Sequence, residues 1–153
     1  MTRILFVCTG NICRSPTAEG VFRHLAVESG LNVETDSCGL GAWHAGNPPD
    51  RRSVAAAARR GYDISGLRAR QIEAGDFQNF DLLLAMDRGH LREMTRLAPR
   101  DLAGKVRLYM SAAGQEAPDV ADPYYGGADG FETVLDMIET GARAWLHELR
   151  RAG

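Results

Sequence analysis

Near its start the chain carries four consecutive apolar residues, Ile4-Leu5-Phe6-Val7. An unbroken apolar run of this length fits a central parallel strand covered on both faces. A polar loop from Cys8 to Arg14 follows, and Ser15-Pro16 then predicts a helix start, with Ser as N-cap and Pro as first helical residue. Val21, Phe22, Leu25 and Ala26 fall on one face of that helix, and Gly30 is its stop. Val33-Glu34-Thr35 reads as a short alternating strand. Positions 39–49, rich in Gly and Pro, read as a long surface loop, and a second helix is expected from about Asp50 to Arg60, ended by Gly61. Asp81 to Met86 reads as another buried strand. The helix after it carries Leu91, Met94 and Leu97 and stops near Pro99. Val106 to Tyr109 predicts a fourth strand, and residues 110–128 a second long loop. The clearest element is the last helix, where Phe131, Val134, Leu135, Ile138, Ala142, Trp145, Leu146 and Leu149 recur at helical spacing. Trp145 is expected in the core.

Strands alternating with helices imply an α/β domain built on a parallel sheet. Such folds bind ligands at the carboxyl ends of their strands, where the loops at 8–15 and 110–128 would lie. The 153 residues fit one domain, 1–153. With 44% hydrophobic and 25% charged residues, a sizeable core needs no disulfide or metal staple. A net charge of −2, with acids and bases mixed along the chain, argues against nucleic acid or a membrane surface as partner. No apolar stretch has the length of a signal peptide or a membrane span, so a cytoplasmic location, where thiols stay reduced, is expected. Three cysteines are not a disulfide framework. Cys38 reads as a small buried hydrophobe, whereas Cys8 and Cys13 lie among polar, loop-forming residues.

The chemistry concentrates in Cys8-Thr9-Gly10-Asn11-Ile12-Cys13-Arg14-Ser15-Pro16. A loop that leaves a strand and enters a helix points N–H groups at a common centre, and the helix N-terminus adds partial positive charge there. Gly10 and Asn11 best tolerate the left-handed conformations that a tight concave loop requires. The planar fork of Arg14 can hold two phosphate oxygens. Cys8, aimed at the same centre, lies where a helix N-terminus and an arginine favour the thiolate. Ser15 is expected to donate its hydroxyl to that thiolate, making it a better leaving group. Asn11 is expected to hold the loop's shape.

The run Val7–Pro16 resembles the signature of low-molecular-weight protein tyrosine phosphatases almost residue for residue. Further segments resemble that family in order: Ala18-Glu19, Trp43-His44-Ala45-Gly46, Pro49-Asp50, Arg68-Ala69-Arg70-Gln71, Phe80-Asp81, Ala85-Met86-Asp87 and Asp122-Pro123-Tyr124-Tyr125-Gly126. The resemblance implies a three-layer α/β sandwich, with a four-stranded parallel sheet and helices on both faces. It implies a metal-independent, cofactor-free, two-step hydrolysis of phosphotyrosine and other aryl phosphate monoesters. Its partners would be tyrosine-phosphorylated proteins, a tyrosine kinase among the candidates, with the chain working as a monomer.

Aryl phosphate cleavage needs a proton donor for the leaving oxygen, and the second loop offers Asp119 and Asp122. Asp122-Pro123 is the better candidate because proline stiffens the turn, and the resemblance independently selects Asp122. The catalytic set is thus Cys8, Arg14 and Asp122. Thr9, Gly10, Asn11, Ile12, Cys13 and Ser15 form the phosphate loop, while Trp43, Tyr124 and Tyr125 are expected at the walls of the pocket. Two departures stand out. The family often has a larger apolar residue where this chain has Thr9, which loosens one wall. Many members have a histidine where this chain has Leu67, which bears on the acid. Cys13 is close enough in sequence to Cys8 for a reversible protective disulfide.

Rival readings are weaker. Arsenate reduction on this fold needs further cysteines after the third strand, and Leu82 to Leu97 contains none. The protein-arginine phosphatase branch tends to carry threonine at the Ile12 position. A mere phosphate binder would not need the thiol and the acid. Cys-x4-Cys lacks zinc spacing, and His24, His44, His90 and His147 are scattered, which reads as surface or packing residues.

Overall fold

Ile4 to Val7 form the middle of strand β1 (Thr2–Cys8), and their neighbours explain why none of the four is polar. Successive side chains alternate between the two faces of a sheet. Ile4 and Phe6 pack on one face with Val21 and Phe22 of helix α1 (Arg14–Glu28) and with Phe131, Leu135 and Ile138 of the last helix. Leu5 and Val7 pack on the other face with Phe77, Phe80 and Met94. The computed structural model describes residues 1–152 apart from Gly126 and Ala128, and of Tyr125 only the backbone.

Beyond β1 and α1 come β2 (Val33–Gly39), α2 (Arg51–Arg59), α3 (Asp76–Asn79), β3 (Leu82–Ala85), α4 (Arg88–Leu97), β4 (Val106–Leu108) and α5 (Asp129–Ala152). The four strands form one parallel sheet in the order β2-β1-β3-β4, the expected fold class. The chain steps from β1 to one neighbour and then crosses to the other. That reversal opens a crevice at the carboxyl ends of β1 and β3, where open parallel sheets take ligands.

The expected elements are present with shifted edges. β2 runs four residues past Thr35, because Asp36–Gly39 continue the ladder beside Leu5–Cys8. Tyr109 leaves β4 and begins a 3-10 turn over Tyr109–Ala113, and the second long loop contains another over Pro123–Tyr125. The four-residue α3 and the 3-10 segment Arg100–Lys105 carry no periodic apolar signal and escape a reading by pattern. The Ser15 N-cap is not observed. Helix α1 starts two residues earlier, at Arg14 after Cys13, with no side-chain cap, and the Ser15 hydroxyl is engaged elsewhere. Asp50 does cap α2, accepting from the Arg52 N–H.

Helix α5 closes the core over the sheet. Tyr109 is fully buried beneath it, donates its hydroxyl to the Ile138 carbonyl (2.6 Å) and accepts from Trp145 Nε1 at its own carbonyl (2.6 Å). Gly141 lies against the Tyr109 ring, and a Cβ there would overlap it. Gly141→Ala should therefore destabilise the fold by about 2 kcal/mol in urea unfolding, although alanine is the better helix former. An unchanged or raised midpoint would contradict this packing.

Candidate active site

The loop between β1 and α1 is shaped by what holds its outer side. The carbonyls of Cys8, Thr9 and Ile12 accept from the N–H groups of Leu40 (3.0 Å), Gly41 (3.2 Å) and Asp50 (2.8 Å). In a trans peptide the C=O and the next N–H point in opposite directions. Drawing these carbonyls outward therefore turns the N–H groups of Thr9, Gly10 and Cys13 to the inner side. Gly39 permits the close approach, since a Cβ there would lie 2.8 Å from the Thr9 carbonyl oxygen.

Asn11 holds the bend from within. It adopts φ +60° and is almost fully buried. Its amide nitrogen donates to Ser15 Oγ (2.8 Å) and Ser37 Oγ (3.0 Å), and its oxygen accepts the Arg70 N–H (3.0 Å). Ser37 in turn donates to Glu19 (2.8 Å), a buried carboxyl whose pKa is raised chiefly by that burial. Ser15 Oγ stands 2.9 Å from Cys8 Sγ and 3.3 Å from the Cys38 carbonyl. Its single hydrogen thus has two acceptors, and a negative charge on the sulfur would draw it to Cys8.

Arg14 lies across the loop, 4% exposed. Nη1 donates to Asp87 Oδ2 (2.8 Å) and to the Val120 carbonyl (3.1 Å), while Nη2 donates to Thr9 Oγ1 (3.3 Å). Asp122 Oδ2 stands 3.6 Å from Nη2, and the other Asp122 oxygen accepts the Tyr124 N–H (3.0 Å). The rival acid, Asp119, is bound by Arg88, which also donates to the Ala117 carbonyl. With the Val120 N–H donating to the Met86 carbonyl (3.0 Å), these bonds tie the second loop to the end of β3.

Cys8, Thr9, Gly10, Ile12, Cys13, Arg14, Trp43, Asp122 and Tyr124 line one cavity of about 480 Å³. Asn11 and Ser15 support it from behind. Trp43 is 72% exposed and Tyr124 43%, so both stand at the mouth, Tyr124 with the Arg52 guanidinium 5.3 Å over its ring. Gly41 makes room for Trp43, because a Cβ at that position would overlap the indole. The Tyr125 side chain lies outside the described residues. Leu67 packs against the core, leaving no titratable group at that position. Cys13 and Cys38 are buried thiols with raised pKa values, chiefly from desolvation, that of Cys13 reaching about 12. Among the described residues, no three His, Cys, Asp or Glu side chains gather as a metal site, and no helix is long and apolar enough to cross a membrane.

Two histidines read from the sequence as surface or packing residues belong here. His44 lines the cavity and lies against Gly10. His90 is buried, with Nε2 2.8 Å from Thr9 Oγ1. Asp87 caps α4 through the His90 N–H (2.8 Å) and simultaneously holds Arg14. Burial works against the charge on Asp87, but the His90 N–H and Arg14 outweigh it and keep its carboxyl below the usual range. In the sequence Asp87 stood out only within the family-like segment Ala85-Met86-Asp87. Nothing local told that this cap would meet Arg14, 73 positions away.

Burial also pushes the His90 pKa down, from 6.5 to about 4, with Arg14 adding to the effect and Asp87 opposing it. Between those values the unfolded chain takes up the proton before the folded one. Folding stability should then fall as pH drops from about 6.5 to about 4 and level off below, by roughly 3 kcal/mol at full extent. Urea unfolding of wild type and His90→Gln between pH 7 and 4.5 tests this. The wild type should lose stability more steeply, and equal slopes would count against it.

The comparisons agree with this geometry. The family model described as low molecular weight phosphotyrosine protein phosphatase matches residues 3–153. A low molecular weight protein-tyrosine-phosphatase of Streptomyces coelicolor is 48% identical, over 97% of this chain and 93% of its own length. The human low molecular weight phosphotyrosine protein phosphatase is 40% identical, over 95% and 94%. The crystal structure of an Entamoeba histolytica protein tyrosine phosphatase with Hepes in the active site superposes with a TM-score of 0.95 at 32% identity, covering 99% of both chains. On the family model over nearly its whole length and on these relatives, the chain belongs to the low molecular weight phosphotyrosine protein phosphatase family.

Proposed function

We propose that this chain hydrolyses phosphotyrosine in proteins, and other aryl phosphate monoesters, through a cysteinyl-phosphate on Cys8 and without a metal. The observation that carries the reading is the meeting of Cys8, Arg14 and Asp122 in one cavity whose mouth is flanked by Trp43 and Tyr124. The phosphate sits in the loop, its equatorial oxygens taken by the inward N–H groups and the Arg14 fork. The Cys8 thiolate attacks phosphorus in line, the S–P bond forms and the P–O(aryl) bond breaks. Asp122 gives its proton to the departing phenolate oxygen. In the second step a water attacks phosphorus and yields its proton to the Asp122 carboxylate. The S–P bond then breaks, inorganic phosphate leaves, and the Ser15 hydroxyl stabilises the returning thiolate. The exposed aromatic pair suits a flat phenyl ring between Trp43 and Tyr124. The substrates would be tyrosine-phosphorylated proteins, a tyrosine kinase among the candidates, met by a monomeric enzyme in the cytosol.

Hydrolysis of para-nitrophenyl phosphate in the presence of EDTA tests the reading. Wild type should turn over, Cys8→Ser should lose at least about 10³-fold, and Asp122→Asn about 10²- to 10³-fold in kcat. Reduced wild type that binds phosphate without cleaving it would make the chain a binding module.

A reading of oxidant control is supported by Cys8 and Cys13 lining the same cavity. Peroxide converts Cys8 to its sulfenic acid, the Cys13 thiol attacks that sulfur, and water leaves as the disulfide forms. A Cys13→Ser variant should be inactivated by peroxide irreversibly, whereas wild type recovers with dithiothreitol. Full recovery of the variant would remove this reading.

A further inference from the structure

Four side chains, Arg14 among them, form a closed ring. Asp87 Oδ2 accepts from Nη1 (2.8 Å), Nη2 donates to Thr9 Oγ1 (3.3 Å), Thr9 Oγ1 meets His90 Nε2 (2.8 Å), and His90 Nδ1 faces Asp87 Oδ1 at 3.3 Å. The direction of each hydrogen follows from the partners. Nδ1 is buried with no hydrogen-bond partner and has a carboxylate oxygen beside it, so the proton of the neutral imidazole sits on Nδ1, where the carboxylate attracts it. Nε2 is then the acceptor and takes the Thr9 hydroxyl hydrogen. With that hydrogen fixed, the lone pairs of Thr9 are left for Arg14 Nη2.

We propose that His90 is a positioning residue for the reaction, acting through the Thr9 hydroxyl to hold the Arg14 guanidinium in the plane where it grips the transferring phosphoryl group. The inference rests on the phosphatase reading above. His90 does not line the cavity and touches no reacting atom. Its Nε2 reaches the Nη2 end of Arg14 through the Thr9 hydroxyl. Asp87 and Val120 hold one end of the guanidinium, and without Thr9 the other would rest, among the described residues, on the distant, half-exposed Asp122. Rotation of the fork weakens its grip most when charge spreads over the equatorial oxygens, so kcat should suffer more than KM.

Two conservative variants separate this role from mere packing. In His90→Gln the side-chain oxygen reaches the place of Nε2 and can accept from Thr9. In His90→Asn the amide ends at the level of Nδ1 and leaves Thr9 without an acceptor. With para-nitrophenyl phosphate, His90→Asn should lose about tenfold in kcat with KM within about twofold, and His90→Gln should recover to within about threefold of wild type. Thr9→Val should lose a similar factor, and combining it with His90→Asn should add little, because both cut the same link. Active wild type with equal rates for His90→Gln and His90→Asn, or losses that multiply in the double variant, would overturn the inference and leave the phosphatase reading intact. Wild type that turns nothing over would sink both.

Discussion

A concave loop of N–H groups is unstable on its own, because its dipoles converge on one point and no internal partner answers them. Asn11 is the residue that makes such a loop tenable here. Its φ of +60° closes the curve, and its buried amide bonds Ser15, Ser37 and the Arg70 N–H, which belong to three separate segments. Carbonyls drawn outward by Leu40, Gly41 and Asp50 complete the frame. Removing the Asn11 amide would strand several buried polar groups at once, each at a cost of about 1–3 kcal/mol. The same network brings Ser15 to Cys8, so the shape of the loop and the hydrogen bond at the sulfur depend on one set of bonds.

The sheet explains why that loop lies where it does. With β1 in the interior and helices on both faces, the carboxyl ends of β1 and β3 meet at the reversal of strand order. Cys8 ends β1 and Asp87 follows β3, which brings a carboxylate to within 2.8 Å of the arginine that starts α1. A guanidinium buried to this degree needs a compensating charge, and Asp87 supplies it at fixed geometry. Asp122 stands further off, at 3.6 Å and part exposed, which leaves its carboxyl accessible at the mouth of the cavity. Two carboxylates near one arginine thus differ in burial and in distance.

The rim follows a different logic. Trp43 and Tyr124 are exposed, and their positions are set by neighbours that take up little room or stack on them: Gly41 under the indole and Arg52 over the phenol. Large, stiff aromatic surfaces held in this way can receive a ring at low entropic cost. The rigid floor and the aromatic mouth are therefore built by separate parts of the chain, the first by backbone hydrogen bonds and the second by stacking and small residues.

The order of strands and helices, the strand–loop–helix unit with Cys8, Arg14 and Ser15, and the Asp122-Pro123 turn were legible in the sequence because each depends on covalent neighbours. Apolar periodicity, turn residues and helix signals act over a few positions, and so they survive without tertiary context. What the tertiary structure decided are the pairings between distant segments. It left Ser15 as the expected partner of Cys8 but not as a helix cap, engaged Asp119 with Arg88 and left Asp122 beside Arg14. It also moved His44 and His90 from the class of packing residues into the site, His90 across 81 positions to Thr9. The physical reason is the same in each case. A hydrogen bond or an ion pair is made with whatever the sheet order brings within about 3 Å, and sheet order is a property of the whole core, whereas the local pattern is a property of each stretch of chain.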